Sequence, residues 1–181
     1  MDSGLIPHRY AKALYKYALE HGDTKKLYEL SKRVIASFEG NPDLQKVLAN
    51  PYVKVTDKEK LLMAATGNAE TEDFARFVKL IAEHKRMEFA YEMMLAYRDI
   101  YRKENHISQA HITTAARLSG DQLEKLREIV KRSFKGTKIE FSESVNPSLI
   151  GGFIIDVDSV RLDASVSNEL EQLRQTLLRS K

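Results

Sequence analysis

Asn146-Pro147-Ser148-Leu149-Ile150-Gly151-Gly152-Phe153 stands between two runs in which apolar and polar residues alternate. Upstream, Ile139, Phe141 and Glu143 are set against Lys138, Glu140, Ser142 and Ser144; downstream, Phe153 to Val157 alternates again. A period of two is the pattern of a strand with one face buried, so this stretch joins two strands. Pro147 fixes the turn, and Gly151 and Gly152 permit positive φ or close packing where the chain re-enters a sheet. A glycine pair can also cradle phosphate through its backbone N–H groups. No helix begins after these two to aim its N-terminus at an anion, which favours the structural reading.

Working outward, Asp158-Ser159 separates Phe153–Val157 from Val160-Arg161-Leu162-Asp163 and predicts a tight hairpin. Ser165 or Ser167 can cap a last helix carrying Val166, Leu170, Leu173 and Leu177. Toward the N-terminus, His106 to Thr114 reads as a strand with Ile107, Gln109, His111 and Thr113 on one face and Ser108, Ala110, Ile112 and Thr114 on the other. Ser119-Gly120-Asp121 then starts a helix bearing Leu123, Leu126, Ile129, Val130 and Phe134. Residues 106–181 thus form a small α/β unit of about four strands and two helices.

Before His106 the texture changes to helical periodicity punctuated by Gly and Pro. Pro7 suits a first helical turn, and Tyr10, Leu14 and Tyr17 with Ala11 and Ala18 make one apolar face ending at Gly22. Leu27, Leu30, Val34 and Phe38 stripe a second helix closed by Gly40; Asn41-Pro42 caps and opens a short third one through Ala49. Thr56 and Glu59 have capping-box spacing ahead of Leu61, Leu62 and Ala65 in a fourth helix ended by Gly67. Phe74, Phe77, Val78 and Ile81 stripe a fifth, and Met87, Ala90, Tyr91, Met94, Arg98 and Tyr101 a sixth. Short loops between six helices predict an antiparallel bundle over residues 1–105. The fold class expected is α+β in two domains: a six-helix bundle and a smaller α/β domain.

Composition limits what these domains do. The chain has 181 residues, 43% of them hydrophobic and 30% charged, which excludes wholesale disorder. Its longest apolar runs, Leu61–Ala65 and Met93–Tyr97, are far shorter than the roughly 20 residues of a membrane-spanning helix. The opening residues match neither a signal peptide nor a transit peptide, so residue 1 is expected to be the mature start of a non-secreted protein. Without cysteine there is no disulfide, thiolate nucleophile or cysteine-ligated metal. The net charge is +3, divided as +2 before His106 (18 basic against 16 acidic residues) and +1 after it, so neither domain is strongly basic.

Motifs for chemistry are few. The chain contains no phosphate-binding loop, dinucleotide fingerprint, nucleophile elbow or His-Glu-x-x-His pair. His106 and His111 are five apart, on opposite faces of a strand, which argues against a shared metal. Lys125, Arg127, Lys131, Arg132, Lys135 and Lys138 form the densest basic run, with Glu124 and Glu128 beside them and no exposed aromatic cluster. A solvated helix face accounts for them; the alternative is a two-domain RNA-binding protein using this run on phosphates. Asp156, Asp158 and Asp163 could in principle serve a metal-dependent hydrolase, but they read as hairpin-edge and turn residues.

Asn146 to Phe153, continued through Asp156-Val-Asp-Ser-Val-Arg-Leu-Asp163-Ala-Ser-Val166 and Leu170-Glu-Gln-Leu173, resembles the C-terminal motif of the delta subunit of F-type ATP synthases, whose mitochondrial counterpart is the oligomycin-sensitivity-conferring protein. Arg9-Tyr10-Ala11-Lys12-Ala13-Leu14 is similar to that family's first helix, and Ala110-His-Ile-Thr-Thr-Ala115, Leu118 and Gln122-Leu123 follow its middle strand and helix. Two departures, Asp158-Ser159 where a glycine is common and Ala164 where a glycine usually follows Asp, bear on the hairpin's geometry. The resemblance implies a non-catalytic stator subunit with no cofactor or metal, tying the catalytic head to the peripheral stalk so that rotor torque drives ATP synthesis coupled to proton transport. It implies two partners: the alpha subunit's N-terminal helix on the helical domain and the C-terminal ends of the b subunits on the α/β domain. In the family the first and fifth helices border the alpha groove, which here points to Tyr10, Ala13, Leu14, Tyr17, Phe74, Phe77, Val78 and Ile81, in stripes wider than one core needs. The implied location is peripheral, on the cytoplasmic face of the bacterial inner membrane.

Overall fold

The computed structural model describes residues 4–67, 71–134 and 138–179. The chain divides into two compact units, Met1–Asn105 and His106–Lys181. Among the described residues the first unit holds α1 (Leu5–His21), α2 (Thr24–Gly40), α3 (Asp43–Ala49), α4 (Val55–Ala64), α5 (Glu72–Glu83) and, after a 3-10 turn at Met87–Phe89, α6 (Ala90–Glu104). The second holds β1 (Ile107–Thr114), α7 (Gly120–Ser133), β2 (Lys138–Val145), β3 (Gly152–Val157), β4 (Val160–Ser165) and α8 (Val166–Arg179). The expected fold class, helices followed by an α/β unit, is the one observed.

Helix α6 is the centre of the helical unit and packs against both α1 and α2. Its apolar stripe buries Ala90, Met93, Met94, Tyr97 and Tyr101. Helix α1 meets it with Ala11, Leu14 and Ala18, whose two alanines let the helices approach, and α2 contributes Leu27, Leu30 and Val34. Each large side chain so buried contributes about 1.5–3 kcal/mol. Tyr97 brings a polar atom into this core, and its hydroxyl donates to the Thr24 carbonyl at 3.1 Å. Burial pushes the Tyr97 phenol well above its ordinary value, because the charged phenolate is disfavoured away from water. Tyr28 stacks on Tyr101 with ring centres 4.2 Å apart.

Two helix starts differ from the sequence expectation. Helix α4 begins at Val55, with extended Lys54 in the cap position and no side-chain cap, so the box expected from Thr56 does not form. The Lys54 carbonyl already accepts from the Asp57 and Lys58 amides, which places Thr56 inside the first turn. Asn41 does not cap α3 with its side chain; its amide donates back to the Ser37 carbonyl of α2, and Pro42 occupies the cap position. Side-chain caps occur instead at Thr71, which accepts from the Phe74 amide at 3.2 Å, and at Ser119, which forms a reciprocal capping box with Gln122 at the start of α7.

The sheet has the order β2-β1-β3-β4. Strands β1 and β2 are parallel, joined by α7, while β3 runs antiparallel to both β1 and β4. Register places Phe141, Ala110, Val157 and Val160 in one rung and Glu143, Ile112, Ile155 and Leu162 in another. Against this face α7 buries Leu126 and Val130, closing a core with Ala110, Ile112, Ile155 and Val157. The opposite face carries the rung Ser142, His111, Asp156 and Arg161.

The hairpin forms despite its departures from the family pattern. Asp158 takes φ 50°, which its short polar side chain tolerates, and its amide and Oδ1 bracket Gln109 of β1 with two bonds of 3.1 Å. At the start of β3, Gly152 has φ 76°, and a Cβ there would lie 2.1 Å from the Ala164 carbonyl oxygen. Of the two roles open to the glycines, positive φ falls to Gly152 alone, while Ile150 also takes it, at 66°. Gly151 serves close packing instead, because a Cβ on it would meet Val166 Cγ2 at 2.9 Å. Pro147 opens the 3-10 turn Pro147–Leu149, where Asn146 Oδ1 accepts from the Ser148 amide at 3.1 Å.

Helix α8 starts from a second polar cluster. Asp163 Oδ1 accepts from the Ser165 hydroxyl at 2.6 Å and from its amide at 3.0 Å, while Ser165 Oγ accepts from the Asn168 amide at 3.2 Å. The hydroxyl first, and then the amide, hold the Asp163 carboxyl below its ordinary value. Because folding lowers this pKa, the stabilisation is complete above the unfolded value of about 3.9 and is lost as pH falls through the folded one. Ser165→Ala is therefore expected to move the Asp163 titration midpoint upward in carboxyl-carbon NMR, and an unmoved midpoint would refute this account. Gly152→Ala is expected to lower stability in urea unfolding by about 1–3 kcal/mol, through strain at positive φ and collision with backbone. Gly151→Ala should cost less, since only a side-chain methyl must move.

Candidate interaction surfaces

Of the positions weighed for chemistry, His106 lies outside β1, at φ 52° just before the strand starts at Ile107, rather than in it, while His111 and the three aspartates are engaged in the fold. His111 Nδ1 lies 2.8 Å from Ser142 Oγ and its Nε2 2.9 Å from Ser144 Oγ. Asp156 pairs with Arg161, Asp158 with the Gln109 amide, and Asp163 with Ser165. Among the described residues no group of three His, Asp or Glu side chains is placed to hold a metal ion. The basic run is laced with ion pairs: Arg127 with Glu124 at 3.3 Å and with Glu143, Lys131 with Glu124 at 3.2 Å, and Arg132 with Glu128 at 3.8 Å. Lys131 and then Arg127 hold the Glu124 carboxyl below its ordinary value. Lys135 lies outside the described residues. This run reads as a mixed-charge helix face.

On the helical unit, the eight residues expected to border a groove fall into two groups. Leu14, Phe74, Phe77, Val78 and Ile81 are buried in the unit's own core, so the α5 stripe is no wider than that core requires. Tyr10 and Tyr17 are half-buried and Ala13 is exposed. Two side-chain bonds join α1 to α5 on this side. The Tyr10 hydroxyl lies 2.8 Å from His84 Nδ1, just past the end of α5, and Arg76 donates to the Tyr17 hydroxyl at 2.7 Å while pairing with Glu72. Between these bonds the α5 row Arg76, Leu80, His84, four residues apart, faces outward with Leu80 41% exposed. The surface shared by α1 and α5 is thus made of Tyr10, Ala13, Tyr17, Arg76, Leu80 and His84. Arg76 and Leu80 of α5 and His84 just past it were not singled out from sequence; their signal is an i, i+4 row beside the more apolar one.

The α/β unit carries a second surface. No residue of α8 is buried, although Val166, Leu170, Leu173 and Leu177 recur at spacings of four, three and four. Leu170 is 51% and Leu173 61% exposed. Val160 and Leu162 of β4 are likewise more than half exposed. Spacings of four and three keep one seam along a helix and suit its packing against a second helix. From sequence this stripe looked like any core-facing stripe; only the fold shows it in water.

Among the described residues no helix is long and apolar enough to cross a membrane. Residues 6–177 match the family model for the ATP synthase delta (OSCP) subunit. The ATP synthase subunit delta of Phocaeicola vulgatus is 37% identical over 179 residues, covering 98% of this chain and 96% of that one. That of Parabacteroides distasonis is 36% identical over 181 residues, covering all of both chains. A chain of the Toxoplasma gondii mitochondrial ATP synthase hexamer shares the fold with a TM-score of 0.72 at 22% identity, over 95% of this chain and 97% of that one. With the match running through both units, from the first turn of α1 to the last of α8, the chain belongs to the ATP synthase delta (OSCP) subunit family.

Proposed function

We propose that this chain is a non-catalytic stator subunit of an F-type ATP synthase, which ties the alpha/beta catalytic head to the b-subunit peripheral stalk. The observation that carries this reading is the pair of exposed surfaces, a mixed one over α1 and α5 and an apolar seam on α8, one on each compact unit, in a chain of this family. In a rotary synthase the head would turn with the rotor unless something held it. A tie of this kind transmits force through docking area and slow dissociation, and needs no acid, base or nucleophile. By resisting that rotation, it lets torque from proton transport drive ATP synthesis. The subunit would sit on the cytoplasmic face of the bacterial inner membrane, held there through the complex.

The helical unit is assigned to the N-terminal helix of an alpha subunit, docked over α1 and α5. Ala13 leaves room for an incoming backbone, Leu80 and the tyrosine rings supply apolar contact, and Arg76 and His84 line the side. The buried members of the original eight support this surface from beneath without touching the partner. The α/β unit is assigned to the C-terminal ends of the b subunits, docked on the α8 seam and the exposed edge of β4.

Ala13→Asp and Leu80→Asp are each expected to weaken binding of an alpha N-terminal peptide to the full chain at least tenfold, about 1.4 kcal/mol, with unchanged circular dichroism melts. Val78→Asp should collapse the melt, since it places a charge in the core. Full affinity in both surface variants would move the groove elsewhere. Purification of the tagged chain from a membrane extract should bring alpha, beta and b subunits, and Leu173→Asp should lose b while retaining alpha. Recovery without any of the three subunits would overturn the stator assignment.

A further inference from the structure

Ile150 is a β-branched residue at φ 66° and ψ −43°, a region that side chains other than Gly, Asn and Asp seldom enter. The Gly151 amide donates back to the Leu149 carbonyl at 2.7 Å, making Ile150 the centre of a three-residue turn whose positive-φ form is rare and strained. Its neighbours hold it in place. Leu149 is buried, the Ile150 amide donates to the Pro147 carbonyl at 3.1 Å, and Asn146 Oδ1 accepts from the Ser148 hydroxyl at 2.7 Å. On the far side, the Val166 amide donates to the Gly151 carbonyl at 3.1 Å. Yet the side chain placed at such cost is 66% exposed, so burial within the chain does little to offset the strain. A Cβ on Gly151 would touch Val166, the first residue of α8, and Ile150 therefore stands beside the start of the α8 seam.

We propose that Ile150 is a preset apolar anchor for the stalk helix that docks on α8, held outward by the strained turn. The proposal rests on the assignment of the α/β unit to the stalk. The occupant is one amphipathic helix of a b-subunit end, because the spacing of Val166, Leu170, Leu173 and Leu177 is that of a helix-packing seam and Ile150 extends it past the N-terminus of α8. A β-branched side chain is stiff at χ1 and loses little freedom on docking, which suits an anchor.

The test uses the full chain and the soluble portion of the b subunit from the same source, titrated by calorimetry. Ile150→Gly and Ile150→Asn both tolerate positive φ and remove the apolar anchor. Each is expected to bind at least tenfold more weakly while melting at or above the wild-type temperature. Leu173→Asp reports on the underlying stalk assignment. Unchanged affinity in both Ile150 variants, with binding lost in Leu173→Asp, would overturn the anchor and leave the stalk assignment standing. Unchanged affinity in Leu173→Asp as well would remove the assignment and the anchor together. Lowered melting of both Ile150 variants would make the residue a structural one and overturn the proposal. Self-association of the wild-type chain in sedimentation, abolished by these substitutions, would overturn it too by making the occupant a second copy.

Discussion

At the start of β3 the backbone of Gly152 passes so close to the Ala164 carbonyl that no side chain fits between them, and much of the α/β unit is arranged around this approach. It sets Gly152 opposite Ser165, and with it the register in which Ile154 meets Asp163 and Asp156 meets Arg161. It also brings the end of β4 against the preceding turn, where Gly151 accepts the first amide of α8. The direction in which the last helix leaves the sheet thus follows from a contact made by a residue with no side chain. The turn before it is tied to β1 as well, through the Asn146 amide and the Thr114 carbonyl at 2.8 Å.

In the helical unit a comparable organising role falls to aromatic residues with polar tips. Tyr97 fills the centre of the core and satisfies its hydroxyl on Thr24. Tyr28 stacks on Tyr101 and accepts from Arg102 at 2.9 Å. Tyr10 and Tyr17 lie half outside and join α1 to α5 by their hydroxyls. Each ring contributes apolar area on one side and a directed bond on the other. The exposed ion pairs add little by comparison, since a solvated pair is screened and must order two long side chains. The stability of this unit is therefore placed mainly in its interior, with two directed bonds joining α1 to the α5 side at the surface.

The distribution of apolar residues differs between the units. Five of the eight residues marked for docking on the helical unit lie in its core. Helix α8 buries none of its apolar residues. The first case shows that an apolar stripe at helical spacing serves the interior whenever neighbouring helices are there to cover it. In the second, β4 and the Pro147–Leu149 turn are the chief neighbours of the helix, too few to enclose its seam.

Periodicity was enough to read the helices of the first unit and the strands and helices of the second, since spacing along a chain records which side of an element is apolar, and the turn residues Asp158-Ser159 marked the tight hairpin. The capping role of Thr56 was misread because a capping box is a spacing of two residue types, and the helix starts where the preceding backbone turns, at extended Lys54. Which glycine would take positive φ and which would pack closely was open for a related reason: glycine marks freedom in a turn, while the closure of the surrounding structure decided that Ile150 and Gly152 would adopt it. Spacing likewise could not separate Ala13, in water, from Val78, in the core, or reveal that Leu170 and Leu173 face outward. The sequence by itself determined the elements and the apolar side of each. What lies against that side, another helix or solvent, depends on residues far away in the chain, and only the tertiary structure decided it.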